Sequence, residues 1–324
     1  MRHDKVWIPA VLRRTEDVAE DIRLFEIEPE GGATPYPGGS HLEIELLVDD
    51  RPVTRSYSLV GATPMNGAWR IAVKRVAHSR GGSRRMWSLQ PGARIRVTQP
   101  SSHFDLKQGA PAYLLLAGGI GITPLVGMMQ TLKTSGAQAR LLYAVRSREQ
   151  AAFLEWLPTA EEGLDLRIDD EGGRIDLPSE ISALHPEAEM YVCGPVGLME
   201  AVRRAWREAG RPAERLRMET FGTSGRHPAT DFVVRVVDRG LDVPVPAHRS
   251  LLEALSDAGV EVASDCRRGE CGLCAVQVTS LDGEIDHRDL FLSDHQKSDN
   301  TQICACVSRA LGSITIDTGH RDRL

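Results

Sequence analysis

Through its first 265 residues this 324-residue chain carries a single cysteine, Cys193. No apolar run approaches the roughly 18 residues that a membrane-crossing helix needs, and the opening MRHDKVWIPAVLRR has no apolar core of leader length. A cytoplasmic chain with no membrane association is therefore expected. Internal repeats and low-complexity tracts are missing, which excludes solenoids and biased tails. No G-x-S-x-G or H-E-x-x-H occurs, and the histidines are scattered without metal-ligand spacing. Nucleophile-elbow hydrolysis and zincin chemistry are not expected, and nothing reads as a pocket for an organic substrate.

A basic excess is also missing, since the formal net charge is -6. That charge is unevenly spread. Residues 1–230 hold 29 acidic and 29 basic side chains, whereas residues 231–324 hold 16 acidic against 10 basic. An acidic C-terminal part argues against a nucleic-acid partner and for a docking face that meets a basic protein. With 41% hydrophobic and 26% charged residues the composition is that of a globular protein, and the length allows two or three domains.

The texture of the sequence changes twice. Residues 1–109 alternate apolar and polar in short runs (HLEIELLV, RSYSLV, RIAVKRV, ARIRVTQ) between Gly and Pro turns, the pattern of an antiparallel barrel or sandwich. Over 110–222, AYLLLAGG is a continuous apolar strand, and ARLLYAV, LDLRID and EMYVCG alternate with helical stretches. This reads as a parallel α/β sheet. The polar, aperiodic FGTSGRHPATD makes a linker, and 231–324 forms a small cysteine-bearing domain. The charged runs EDVAEDIR and RRAWREAGRPAERLR read as solvated helix faces.

The other five cysteines fall in DCRRGECGLC and QICACVSRA. Cys266, Cys271 and Cys274 stand at C-x4-C-x2-C, the plant-type [2Fe-2S] spacing, which needs one more distant cysteine. Three ligands from one loop can wrap a cluster. Gly269 and Gly272 allow backbone N–H groups to face the sulfurs, which holds the cluster's negative charge and tunes its potential. Zinc is the competing metal, but zinc modules usually offer cysteines as two C-x2-C-like pairs. Both Cys304 and Cys306 are in reach as the fourth ligand.

Other motifs point to nucleotides. AVKRVAHSRGGS puts Ala72, Val73 and Lys74 on a strand and Gly81, Gly82 and Ser83 at the start of a short helix, where backbone N–H groups make a phosphate site. AGGIGITPL reads G-x-G-x-x-P from Gly119 through Gly121 to Pro124, so the strict dinucleotide fingerprint fails at its third glycine. Thr123 is placed to cap the following helix and Pro124 to take its first position. YVCGPVGLM ends a strand in Cys193-Gly194-Pro195; by itself Cys193 reads as a small buried hydrophobe. Two nucleotide preferences stay open. Ser147 and Arg148, just past a strand, suit a 2′-phosphate, whereas Asp169 and Asp170, ending another, suit ribose hydroxyls.

In the order of these motifs nearly the whole chain resembles the phthalate dioxygenase reductase family, which includes the reductase components of phthalate dioxygenase and of vanillate O-demethylase. The resemblance implies a flavin-binding antiparallel β-barrel, a parallel α/β nucleotide domain and a C-terminal β-grasp-like [2Fe-2S] ferredoxin domain. It implies that RSYSL binds flavin through Arg55, Ser56, Tyr57 and Ser58: Tyr57 on the isoalloxazine, Ser58 at its N5 edge, Arg55 on phosphate. Ala72, Val73, Lys74, Gly81, Gly82 and Ser83 would complete that site. Gly119, Gly121 and Thr123 would face flavin and nicotinamide nucleotide, and Cys193, Gly194 and Pro195 the nicotinamide ring, with Ser58 and Cys193 catalytic. Phe221 in METFG would pack on the flavin. The resemblance selects Cys306 as fourth cluster ligand, because CVSRA follows the ligand in related domains. It further points to FMN rather than FAD, and to NADH with Asp170 on the ribose. The implied activity is an NADH-dependent reductase passing electrons through flavin and [2Fe-2S] to a separate Rieske-type terminal oxygenase, a diiron monooxygenase being the alternative acceptor.

Overall fold

A computed structural model describes residues 6–48, 50–76, 81–221 and 225–319. The chain divides into two compact units, Met1–Glu219 and Thr220–Leu324.

The first unit begins with strands whose alternating side chains fill one interior. β1 (Trp7–Ala19), β2 (Ile22–Pro29), β3 (Ser40–Val48), β4 (Arg51–Ser58), β5 (Trp69–Lys74) and, after helix α1 (Gly82–Ser88), β6 (Arg94–Thr98) pair antiparallel in the order β4-β3-β6-β1-β2-β5. A short β7 (Ser101–Ser102) adds to β3. In β3, Leu42, Ile44 and Leu46 point inward and join Leu12, Phe25, Ile27, Trp69 and Val97 in the core. Each such side chain contributes about 1.5–3 kcal/mol by leaving water. The sheet edges meet where Leu59 bridges Ile71 and the Val60 N–H donates to the Arg70 carbonyl at 2.8 Å, closing the barrel. The run EDVAEDIR is not a helix face but the β1–β2 hairpin. Asp17 stands opposite Arg23, and the guanidinium donates to its carboxylate at 2.6 Å, so the two charges pair across strands.

The second layer of this unit is parallel. β8 (Tyr113–Gly118) is buried at all six positions, as is expected of a strand covered on both faces. Helix α2 (Ile122–Thr134) leads to β9 (Ala139–Val145) and β10 (Leu164–Ile168); α3 (Leu177–Ser182), β11 (Glu189–Cys193), α4 (Val196–Glu208) and β12 (Leu216–Glu219) follow. The strand order β10-β9-β8-β11-β12 turns direction between β8 and β11, and ligands enter such sheets at the carboxyl ends of the strands at that point. Barrel and layer are joined by polar contacts. The Ala62 N–H donates to Gln130 Oε1 at 2.9 Å, and the Arg70 guanidinium lies 4.5 Å from the Trp156 ring centre.

Two helix-start expectations are corrected. The first residue of α2 is Ile122, so Pro124 is its third, where its missing N–H is still harmless. The Thr123 hydroxyl donates back to the Ile120 carbonyl at 3.0 Å instead of capping, because the tight Gly119–Gly121 turn already brings that oxygen within reach.

The second unit is a mixed sheet in the order β14-β13-β17-β15-β16, built from β13 (Phe232–Val236), β14 (Leu241–Val245), β15 (Ala275–Asp286), β16 (Gln302–Cys304) and β17 (Arg309–Asp317). β13 runs parallel to β17 and the remaining pairs are antiparallel. Helix α5 (Leu251–Asp257) covers the sheet with Leu251, Leu252 and Leu255. Its start is set by a capping box between Ser250 and Glu253. Helix α6 (Asp294–Asp299) carries the same device at Ser293 and Gln296. Of the expected linker, residues 222–224 lie outside the described residues. Its continuation is tied to this unit: the Arg226 N–H donates to Asp286 Oδ1 at 3.0 Å, and Arg288 donates to the His227 carbonyl at 3.0 Å.

Candidate functional site

Ser58 is the last residue of β4 and is buried; its hydroxyl donates to the Glu219 carboxylate at 3.3 Å. Glu219 ends β12, is also buried, and stands in register with Cys193 at the end of β11. The two catalytic candidates from the sequence are thus linked through Glu219. The resemblance of METFG to an acidic-x-aromatic pattern assigns a role to Phe221 and none to this carboxylate. Phe221 is half-buried and begins the second unit with Thr220.

Close backbone approach shapes the same end of the sheet. A Cβ at Gly121 would overlap the Cys193 carbonyl oxygen, and one at Gly194 would come within 3.1 Å of Gly118 Cα. Only glycine lets the two strand ends lie against each other. Gly119 differs: its φ is +52° and a Cβ there would meet nothing within 4 Å, so open room lies over this turn for a nucleotide. Pro195 packs its ring edge toward Gly118.

At the barrel rim the Arg55 side chain lies against Gly82, where an added Cβ would be 3.0 Å from its Nε. Beside it the Ser83 hydroxyl is buried with no hydrogen-bond partner among the described residues. A guanidinium, a helix-start glycine pair and an orphan hydroxyl fit the phosphate end of a flavin. Tyr57 is half-buried against the barrel core, and burial pushes its phenol well above the usual range. Ser56 is exposed. Ala72 and Val73 are buried, and the Lys74 ammonium sits 3.1 Å from Asp21.

In the second unit the loop before β15 curls around Cys266, whose sulfur accepts the N–H groups of Arg268 and Cys271, each at 3.4 Å. Gly269 and Gly272 have φ of +80° and +74°, and a Cβ at Gly272 would overlap the Phe291 ring, so the curl requires glycine there. Cys274 and Cys306 are buried with sulfurs 3.1 Å apart. Hydrogen bonds from Cys304 and Cys306 hold the Cys274 thiol down to about 3, and the same bonds, with burial, hold both donors up. Cys306 also interacts with Cys266 and with the Gly269 N–H, and Cys266 with Cys271, so Cys266, Cys271, Cys274 and Cys306 form one connected set. Cys304, at the end of β16, is also hydrogen-bonded to Cys274 and lies in the field of Asp289, but has no interaction with Cys266 or the Gly269 N–H among those that set its thiol. Among the described residues no three His, Cys, Asp or Glu side chains gather as a shell for a single metal ion. Inward N–H groups on the sulfurs fit an anionic cluster.

Three family models match in the order the motifs follow: an oxidoreductase FAD-binding domain over 9–106, an oxidoreductase NAD-binding domain over 115–204 and a 2Fe-2S iron-sulfur cluster binding domain over 234–311. The chain is similar to phthalate dioxygenase reductase of Burkholderia cepacia, 36% identical and aligned over 91% of this chain and 92% of that one. The chain belongs to the phthalate dioxygenase reductase family. Phenoxybenzoate dioxygenase subunit beta of Ectopseudomonas oleovorans is 37% identical over 92% of this chain and 93% of its own. The solved structure of phthalate dioxygenase reductase, described as modular for electron transfer from pyridine nucleotides to [2Fe-2S], superposes with a TM-score of 0.75. It is 33% identical and covers 96% of this chain and 98% of that one. As a member of this family the chain is a flavin, NAD and [2Fe-2S] oxidoreductase. Among its described residues no helix is long and apolar enough to cross a membrane.

The turns after β9 and β10 carry paired charges with an acidic excess. Past β9, Arg148 donates to both Glu171 oxygens, at 3.1 and 2.8 Å; past β10, Asp169, Asp170 and Glu171 make one exposed turn. Asp170 is joined to the β9 edge by its N–H, which donates to the Arg146 carbonyl at 3.0 Å. Neither Glu171 nor Glu219 was among the residues expected from the sequence to line a site. The only local signal of Glu171 is its place directly after the two aspartates.

Proposed function

We propose that this chain is the NADH-dependent reductase component of a cytoplasmic oxygenase system, delivering electrons to a separate terminal oxygenase of the Rieske type. Its domains run over 1–109, 110–222 and 231–324. The observation that carries the reading is the Ser58–Glu219 hydrogen bond beside Cys193, whose strand β11 borders the switch point of the parallel sheet. A buried polar pair there fits a place where nicotinamide and flavin meet.

A flavin takes two electrons as a hydride and returns them singly, and a [2Fe-2S] cluster carries one at a time. The chain's own residues do the rest. Ser58 Oγ, held by Glu219, is set to bond the reactive edge of the flavin and to hold a proton there. The small Cys193 side chain leaves room for a flat ring, and Gly119, Gly121 and Thr123 shape the turn beneath the nucleotide, with Gly194 and Pro195 at its far side. Arg55, Gly81, Gly82 and Ser83 hold the flavin's phosphate. Tyr57 and Ser56 flank its ring, with Ala72, Val73 and Lys74 on the next strand. Asp170 bonds the ribose. Cys266, Cys271, Cys274 and Cys306 hold the cluster, and the N–H groups of Arg268 and Cys271 stabilise its charge.

FMN is the proposed flavin. The matching model is described for FAD, and the choice rests on the resemblance together with a phosphate corner already filled by Arg55 and Ser83 at the barrel rim. Chromatography of the released flavin should give an FMN peak; an FAD peak would refute it. The acidic balance of residues 231–324 suits an oxygenase with a basic docking rim. Reconstitution with purified Rieske and diiron oxygenases tests the acceptor. NADH-driven product formation with a Rieske protein is expected, and turnover with a diiron protein alone would overturn that choice.

A further inference from the structure

β9 and β10 lie side by side and parallel, with Val145 in register with Ile168. Ser147 and Arg148 follow the first strand and Asp169–Glu171 the second. In doubly wound sheets the adenosine ribose comes to the ends of the strands beside the first one. Of the side chains here that could receive a 2′-phosphate, Ser147 and Arg148 are engaged by carboxylates. Arg148 forms a two-pronged bond to Glu171, and Ser147 hydrogen-bonds Glu149, whose carboxyl is held below the usual range first by its own backbone N–H and then by that serine.

We propose that Glu171 determines nucleotide specificity: by holding Arg148 in that fork it withholds the guanidinium from a 2′-phosphate, and the chain takes NADH. The inference rests on the reading above that NADH binds at this sheet. A 2′-phosphate carries about -1.5 to -2 charges at neutral pH. To gain Arg148 it would have to displace Glu171 and then lie beside the freed carboxylate, with Asp169 and Asp170 on the same turn. Ribose hydroxyls carry no charge and can donate to the carboxylates there. The pair is 60% and 52% exposed, and ion pairs of that kind are worth only about 0.2–1 kcal/mol. One substitution can therefore shift the balance.

Titration calorimetry on the full holoprotein, with 5′-AMP and 2′,5′-ADP as probes, tests this. Glu171→Gln should tighten 2′,5′-ADP relative to 5′-AMP by about fivefold, the equivalent of about 1 kcal/mol. The NADPH to NADH ratio of kcat/KM should rise alongside. Adding Arg148→Gln should return both ratios to the starting value. An unchanged ratio in Glu171→Gln, or a gain that survives without Arg148, overturns the inference while NADH oxidation by the wild type leaves the broader reading standing. A wild type that binds 5′-AMP but oxidises no NADH overturns both.

Discussion

Cys304 and Cys306 are both buried and two residues apart, yet their surroundings differ. Both are hydrogen-bonded to Cys274, but Cys306 also interacts with Cys266 and the Gly269 N–H, whereas Cys304 ends a strand in the field of Asp289. Cys306→Ser should therefore lose the cluster and Cys304→Ser keep it, read as iron and acid-labile sulfide near two each per chain. The opposite pattern would move the fourth ligand. Ser58 and Glu219 act as one hydrogen-bonded unit. Ser58→Ala and Glu219→Gln should each slow NADH-to-ferricyanide turnover by about 10²-fold through misplacement of the reacting edge. Because either change breaks the same bond, the double variant should be little slower than the single ones. Multiplying effects at unchanged flavin content would show that the residues act separately.

The strand-end turns show what glycine does at the level of an element. Gly121→Ala pushes a methyl into the Cys193 carbonyl, with backbone on both sides, and should destabilise the first unit by about 1–3 kcal/mol in thermal melts. Gly119→Ala meets open space, so its cost is the left-handed φ alone, about 1–2 kcal/mol, and its larger effect should be a raised KM for NADH. Equal melts and equal KM values for the two would contradict this geometry. The cluster loop was legible in sequence because three ligands and two glycines fall within nine residues. Likewise, β8 announced itself by an unbroken apolar run. The Ser58–Glu219 bond spans 161 positions, and no local pattern marks such a pair. The hairpin at Asp17 and Arg23 was misread because a dense charge run hides a period of two, and only pairing across strands reveals it. At Thr123 the helix starts two residues early, turning a cap into a back-bonded side chain.

Across the whole molecule, two compact units divide the labour: one carries the flavin and nucleotide motifs, the other the cysteine loop. The first unit has its own barrel core and its own parallel layer, so it should fold without the second. The residues that continue the linker, Arg226 and His227, are bonded to Asp286 and Arg288 of the second unit, so a clean division falls before them. In the proposed function the cysteine loop holds the exit for single electrons. A chain ending at Phe221 tests it most directly, assayed with NADH against ferricyanide and against a Rieske oxygenase. Ferricyanide reduction should persist at close to the intact chain's rate, because that acceptor can meet flavin itself, and oxygenase turnover should all but vanish. Oxygenase turnover equal to that of the full chain would mean that the flavin donates directly and that the cluster is not the exit.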